Sequence, residues 1–338
     1  MLTGLLTFGS AVHCRIAHNP AMSDTAHLLI PFASCGDPGC GQARAGLRLP
    51  VLEKLLARLE PAASEDGDEH TLAMPHDRVL AREFGLAAAD GCTPWAAWQL
   101  SQAGRETEGA AWAWITPCHW DVGQHHIAMA HPQHLALRAD ESQALMEAMR
   151  PYFEEDGIAL AYEAPTLWLA RGEVFRGFAS ASLDRVIGRE VGPWLPQGPQ
   201  ARTIRRLQQE MQMLLYTHEV NELRSRGGLP VVNSFWVSGT GALPAGAAPH
   251  PPAGLHITHY LRDAALLQDW RGWAAAWQQL DGRECARLLR ALDHGEHVSL
   301  TLCGERKART FSGAGGGFFG KLAATLRRPR AVEVLDSL

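Results

Sequence analysis

The sequence predicts an α/β fold, a mixed and mostly buried sheet flanked by helices. Three observations carry that reading: short apolar runs bounded by turn residues, amphipathic stretches at three- and four-residue spacing between them, and 46% hydrophobic residues over a 338-residue chain. A chain of that size and apolar content buries a substantial core. Regular patterning begins at Ala26, so residues 1–25 are expected to be a disordered extension, with Met1 and Met22 both candidate starts. Residues 26–338 are expected to form one α/β domain, with a candidate internal boundary at 192–200, where GPWLPQGPQ interrupts the pattern.

In chain order, apolar runs predict strands at 27–33 (HLLIPFA), 111–118, 127–130, 158–162, 167–170, 231–237, 255–258 and 298–303. Helices are predicted at 51–59, 141–149, 203–223, 264–280 and 284–292, each with apolar side chains recurring on one face. The Ala-, Ser- and acid-rich stretch 61–75 and the proline-rich stretch 243–253 read as exposed loops.

Composition narrows the function classes. The 31 basic and 36 acidic side chains give a formal charge of −5 with no long block of either sign, so nothing marks a nucleic-acid backbone as partner. Seven cysteines (Cys14, Cys35, Cys40, Cys92, Cys118, Cys285, Cys303) are scattered irregularly, which fits reduced thiols in a cytoplasmic protein better than a disulfide framework. No apolar run reaches the roughly 18 to 20 residues that span a bilayer, and the first segment has no basic stretch ahead of its apolar one. The expected partner is a small molecule or another protein. Tryptophans at helical spacing, Trp270, Trp273 and Trp277, together with the Trp95/Trp98 and Trp112/Trp114 pairs, point to core or subunit-interface packing, and so to a candidate homo-oligomer.

The densest group of polar side chains lies in LQQEMQMLLYTHEVNELRSRGGLPVVNSFWVSGTG, residues 207–241. It reads as a long helix with Met211, Leu214 and Leu215 toward the core, a stop at Gly227 and Gly228, a turn through Pro230, a buried strand and a Gly-rich exit. His218, Asn221, Arg224, Asn233, Trp236, Gly239 and Gly241 are the candidate ligand-binding residues, gathered where ligands sit in open α/β sheets.

That segment resembles the His-x-Val-Asn, Arg, Gly, Asn, Trp, Gly-x-Gly stretch of bacterial proteins similar to archaeal-type cofactor-independent phosphoglycerate mutases. With TPCHWDVGQHH at 116–126 and the opening HLLIPFA, it is similar more specifically to RpfE-type regulatory proteins. The resemblance implies an alkaline-phosphatase-like fold, in which two divalent metals held by Asp and His polarise a phosphate. The family's first metal motif is an Asp-Gly pair after the first strand; here SCGDPGC follows, with Asp37 before Pro38. The Asp-His-Gly motif occurs once, at Asp293, His294 and Gly295, where it follows a helix and reads as a helix exit.

The expectation is therefore a phosphoglycerate-mutase-like protein, degenerate at its metal site, that binds a small phosphorylated or carboxylated ligand, or a regulatory protein partner, without a resident cofactor. The alternative is an active phosphoglycerate mutase or phosphohydrolase holding Mn, Mg or Zn on His119, Asp121, His125, His126, Asp293 and His294. Two weaker patterns are His250, His256 and His259, and GGGFFGK at 315–321, a Walker-A-like loop with Leu322 where Mg²⁺ would need a hydroxyl.

Overall fold

The computed structural model of the chain describes residues 26–107, 109–123, 126–244, 249–314 and 329–338. The extension 1–25, His125 and the glycine-rich loop 315–321 lie outside the described residues. The elements run β1 (Ala26–Ile30), α1 (Pro38–Ala45), α2 (Pro50–Arg58), β2 (Glu60–Asp66), α3 (Pro75–Glu83), α4 (Trp95–Gln102), β3 (Trp112–Cys118), β4 (Trp120–Val122), β5 (Ile127–Met129) and α5 (Ala139–Glu155). They continue through β6 (Ala159–Ala164), β7 (Leu167–Arg171), α6 (Leu183–Val186), α7 (Ala201–Tyr216), α8 (Glu219–Arg226), β8 (Ser234–Gly241) and β9 (Leu255–Ile257). Last come α9 (Arg262–Leu266), α10 (Trp270–Leu280), α11 (Ala286–Asp293), β10 (His297–Cys303), β11 (Lys307–Ala314) and a closing helix Ala331–Asp336. The fold class is mixed α/β, and the chain divides into two compact units.

The first unit contains His70–Ala73 and Gly85–His250, and with them the 192–200 segment. Its sheet, ordered β6-β7-β3-β8, is antiparallel throughout. Helices α5 and α7 cover this sheet with Leu145, Met149, Phe153, Leu207, Met211 and Leu215, which meet Ile115, Trp168, Phe235 and Val237 in one apolar core. The predicted helix 203–223 is two helices. The chain breaks at Thr217 and His218, because the His218 ring turns back to accept a hydrogen bond from the Val220 N–H (3.2 Å) and so caps a new helix, α8. The strand predicted at 231–237 starts later, at Ser234, because the backbone before it bonds elsewhere: Val232 N–H to the Asn221 side chain and Asn233 N–H to the Cys118 carbonyl.

The second unit contains residues 26–69, Met74–Phe84 and Pro251–Leu338. Its sheet, ordered β2-β11-β10-β1-β9, is mixed: β1 runs parallel to β10 and β9, whereas β11 and β2 are antiparallel. Leu28, Leu29 and Ile30 are buried, as a central parallel strand covered on both faces requires. Trp273 and Trp277 of α10 are fully buried, and their indole N–H groups donate to the Phe32 carbonyl (2.9 Å) and the Ala33 carbonyl (3.2 Å), anchoring the exit of β1. Gly39 permits the close approach of α1 to α10, because a Cβ there would collide with the Trp270 ring. The predicted loop 61–75 holds the edge strand β2 instead. Its side chains are exposed and show no apolar alternation, so only its backbone pairing with β11, Arg309 opposite Ser64, makes it a strand. Among the described residues, no helix is long and apolar enough to cross a membrane.

Candidate functional site

His218, Asn221, Arg224 and Asn233 meet at the corner where α7 turns into α8 and the chain doubles back into β8. Asn221 is buried and acts as a clamp. Its amide donates to the Leu215 carbonyl (2.8 Å) at the end of α7 and to the Val232 carbonyl (2.6 Å), and its oxygen accepts from the Val232 N–H (2.9 Å). Asn233 pairs in the same way with one residue of the facing chain: it accepts from Trp120 N–H (2.7 Å) and donates to the Trp120 carbonyl (2.9 Å), imitating a strand pair.

Arg224, 1% exposed, is the most deeply placed charge of the group. Its Nε donates to the Pro230 carbonyl (2.9 Å), one terminal nitrogen to the Leu135 carbonyl, and the other to the Glu141 carboxylate (2.7 Å). Glu141, on the first turn of α5, also accepts from the Arg138 backbone N–H (3.0 Å). The buried ion pair is therefore hydrogen-bonded on both sides, which is what a desolvated pair requires.

Trp236 is buried and donates from its indole to the Ala181 carbonyl (3.0 Å). Gly239 has φ +63°, and a Cβ there would stand 2.7 Å from the Trp114 ring, so backbone and indole pack directly. Gly241 ends β8 opposite Trp112 and lies against Pro94. The sequence-predicted set is thus divided: His218, Asn221, Arg224 and Asn233 share the corner before β8, with polar atoms turned inward on α7, α8 and the β3–β4 connection, whereas Trp236, Gly239 and Gly241 lie along β8 toward its far end, beside the start of β3.

An open pocket of about 390 Å³ borders this corner. Arg224 and Glu141 lie at it with Arg138 and Asp140, and Ala144, Val220, Leu223 and Leu229 supply an apolar wall. Arg138 is well exposed and pairs with Asp140 (3.0 Å), itself exposed. The sequence pointed to Arg224 and missed Arg138, Asp140 and Glu141. The available signal was local: Glu141 sits three residues into a helix, where an acid caps the N-terminus. Its partner Arg224, 83 residues away, leaves no local trace.

The residues offered for metal are distributed differently. Asp37, the acid that follows the first strand, caps α1 by accepting from the Gly39 N–H (2.7 Å). His119 bonds through Nδ1 to the Val231 carbonyl (2.8 Å), whereas Asp121 and His126 are exposed on and beside the β4–β5 hairpin. Asp293 pairs with Arg58 (2.6 Å), and His294 and Gly295 form the exit of α11, with Gly295 at φ +89°. Among the described residues, which do not include His125, no group of three or more His, Cys, Asp or Glu side chains could hold a metal ion. Of the other histidines, His256 faces Glu284 (3.4 Å), and burial holds its imidazole below the ordinary range.

No protein-family model matches the sequence, and no curated protein sequence matches it. Among solved structures, the chain is similar to the cofactor-independent phosphoglycerate mutase from Thermoplasma acidophilum DSM 1728, at 14% identity and TM-score 0.36 over 93% of this chain and 99% of that one. It is also similar to the PH0037 protein from Pyrococcus horikoshii, at 13% identity and TM-score 0.45 over 94% of this chain and 97% of that one.

Proposed function

We propose that this chain is a phosphoglycerate-mutase-like protein, degenerate at its metal site, that acts in a regulatory role by binding a small phosphorylated or carboxylated ligand in the pocket between α5 and α8. One observation carries the reading: the exposed Arg138 guanidinium opens on a pocket with an apolar wall of Ala144, Val220, Leu223 and Leu229, backed by the buried Arg224–Glu141 pair. Arginine forks suit carboxylate and phosphate oxygens. Arg138 pairs with the exposed Asp140 (3.0 Å) and with the Glu141 carboxylate (3.2 Å); the exposed pair is worth about 0–1 kcal/mol, so an incoming anion displaces Asp140 at little cost while Glu141 keeps its contact. Arg224 stays fixed by its internal bonds and contributes field and shape.

Isothermal titration of the purified chain with 3-phosphoglycerate and with its unphosphorylated acid tests the reading. Binding that weakens about tenfold in Arg138→Ala, a difference of about 1.4 kcal/mol, supports it. Equal binding by both proteins removes the pocket from the account. The catalytic alternative makes a different forecast: near-stoichiometric metal that survives dialysis, and mutase turnover on the order of 1 s⁻¹ or more with Mn²⁺. Those two results together would replace the binding reading with an enzyme.

A further inference from the structure

The lining of the α5–α8 pocket is divided by chemistry. Arg138, Asp140 and Glu141 stand at the start of α5, and Arg224 joins them through its buried pair with Glu141. The aliphatic lining lies beyond: Ala144 is one helical turn past Asp140, Val220 and Leu223 are about one turn apart on α8, and Leu229 follows that helix.

The charges of the lining cancel. Two guanidinium groups stand with two carboxylates, and Arg224 is spent on bonds inside the fold, which leaves Arg138 as the accessible cation. A ligand with several negative charges, such as a phosphate ester that also carries a carboxylate, would bring them to one such cation beside two acids, and like charges brought together oppose binding. A single negative charge meets no such surplus.

The geometry of Arg138 outlines the head group. Its Nε and one terminal nitrogen donate to the two oxygens of Asp140 (3.1 and 3.0 Å), the parallel two-bond arrangement that a planar carboxylate fits. The other terminal nitrogen lies 3.2 Å from Glu141, so the guanidinium keeps a tether when Asp140, 72% exposed, is exchanged for another carboxylate.

Exposure outlines the rest of the ligand. Leu223 is 56% and Leu229 40% exposed at the same opening, and an aliphatic chain laid against them takes apolar surface of both partners out of water. Phosphoglycerate, oxygenated at every carbon, has no such chain to offer. A volume of about 390 Å³ leaves room for a short one.

We propose, building on the binding reading of this pocket, that its ligand is an amphiphilic monocarboxylate. The carboxylate replaces Asp140 on Arg138, and the aliphatic tail covers Ala144, Val220, Leu223 and Leu229.

Isothermal titration of the full chain with butanoate, hexanoate and octanoate, and with 3-phosphoglycerate, reads both ends of the site. Affinity should rise about threefold per added methylene and be higher for octanoate than for 3-phosphoglycerate. Asp140→Asn removes the competing carboxylate and should tighten the whole series about threefold, a gain that a misfolded variant cannot produce. Leu223→Gln, a change at an exposed helix position, should flatten the rise with chain length and leave butanoate nearly unchanged. A series flat in chain length, with 3-phosphoglycerate bound and weakened in Arg138→Ala, overturns the amphiphilic ligand and keeps the pocket as an anion site. Absence of binding by all four compounds overturns both readings. A rise with chain length that neither Asp140→Asn nor Leu223→Gln alters puts the tail elsewhere on the chain and overturns the proposal as well.

Discussion

Two arginine–carboxylate pairs of nearly equal length do different work in the two units. Arg224 and Glu141, 2.7 Å apart in the antiparallel unit, have side chains 0% and 8% exposed; Arg44 and Asp336, 2.6 Å apart in the mixed-sheet unit, are 17% and 53% exposed. Distance alone would rank them as equals. The environment separates them, because the buried pair has given up its water and depends on every internal bond it makes, whereas the exposed carboxylate keeps solvent as a substitute partner.

The largest effect expected from that contrast is at Arg224. Arg224→Ala removes the buried partner of Glu141, leaving that carboxylate to Arg138 (3.2 Å), and frees the Pro230 and Leu135 carbonyls, so urea unfolding should show a loss of about 3 kcal/mol. The double variant Arg224→Met with Glu141→Leu should recover much of it, since no charge is then left unpaired. A loss below about 1 kcal/mol in the single variant would break the comparison.

A second effect sharpens it through a buried polar group in the mixed-sheet unit. His27 bonds the Thr301 hydroxyl (2.8 Å), and burial first, then Arg82, pushes its imidazole down from 6.5 to about 4. The unfolded chain takes up a proton near pH 6.5 that the folded chain refuses until about pH 4. Stability therefore falls as pH drops through that window, by on the order of 3 kcal/mol in total, and this group adds no pH dependence above it. Urea midpoints measured across the window should slope for the wild-type chain and flatten in His27→Gln. An unchanged slope in the variant would assign the effect to other groups.

The smallest effect is at Arg44, where Arg44→Ala should cost about 1 kcal/mol by the same unfolding measurement. A loss as large as that of Arg224→Ala would mean that solvent does not substitute for Asp336.

The parts of the fold that were legible share a property. The strand predicted at 27–33 announces itself because a central parallel strand is apolar on both faces, though it ends at Ile30, and that at 298–303 by alternation, Val298, Leu300 and Leu302 against Ser299 and Thr301. Strands β2 and β11 did not, since EPAASED and KARTFSGA carry no apolar run and are strands through their neighbours' backbones. The helix predicted at 264–280 is interrupted in the structure: Asp269 accepts from the Gly272 N–H (2.9 Å) and opens α10 anew after Gln268 at φ +56°. Amphipathic spacing continues across such a break, so periodicity does not register it.

The same division runs through the candidate site. The sequence by itself determined the mixed α/β class, the buried strands, the tryptophan-anchored helix and the corner that gathers His218, Asn221, Arg224 and Asn233, because each rests on residues close together along the chain. Only the tertiary structure decided that Asn221, Asn233 and Arg224 spend their polar atoms on carbonyls and amides of the fold, and that Glu141 is the partner of Arg224. A hydrogen bond is fixed by which two groups lose their water together, and that depends on where distant segments meet.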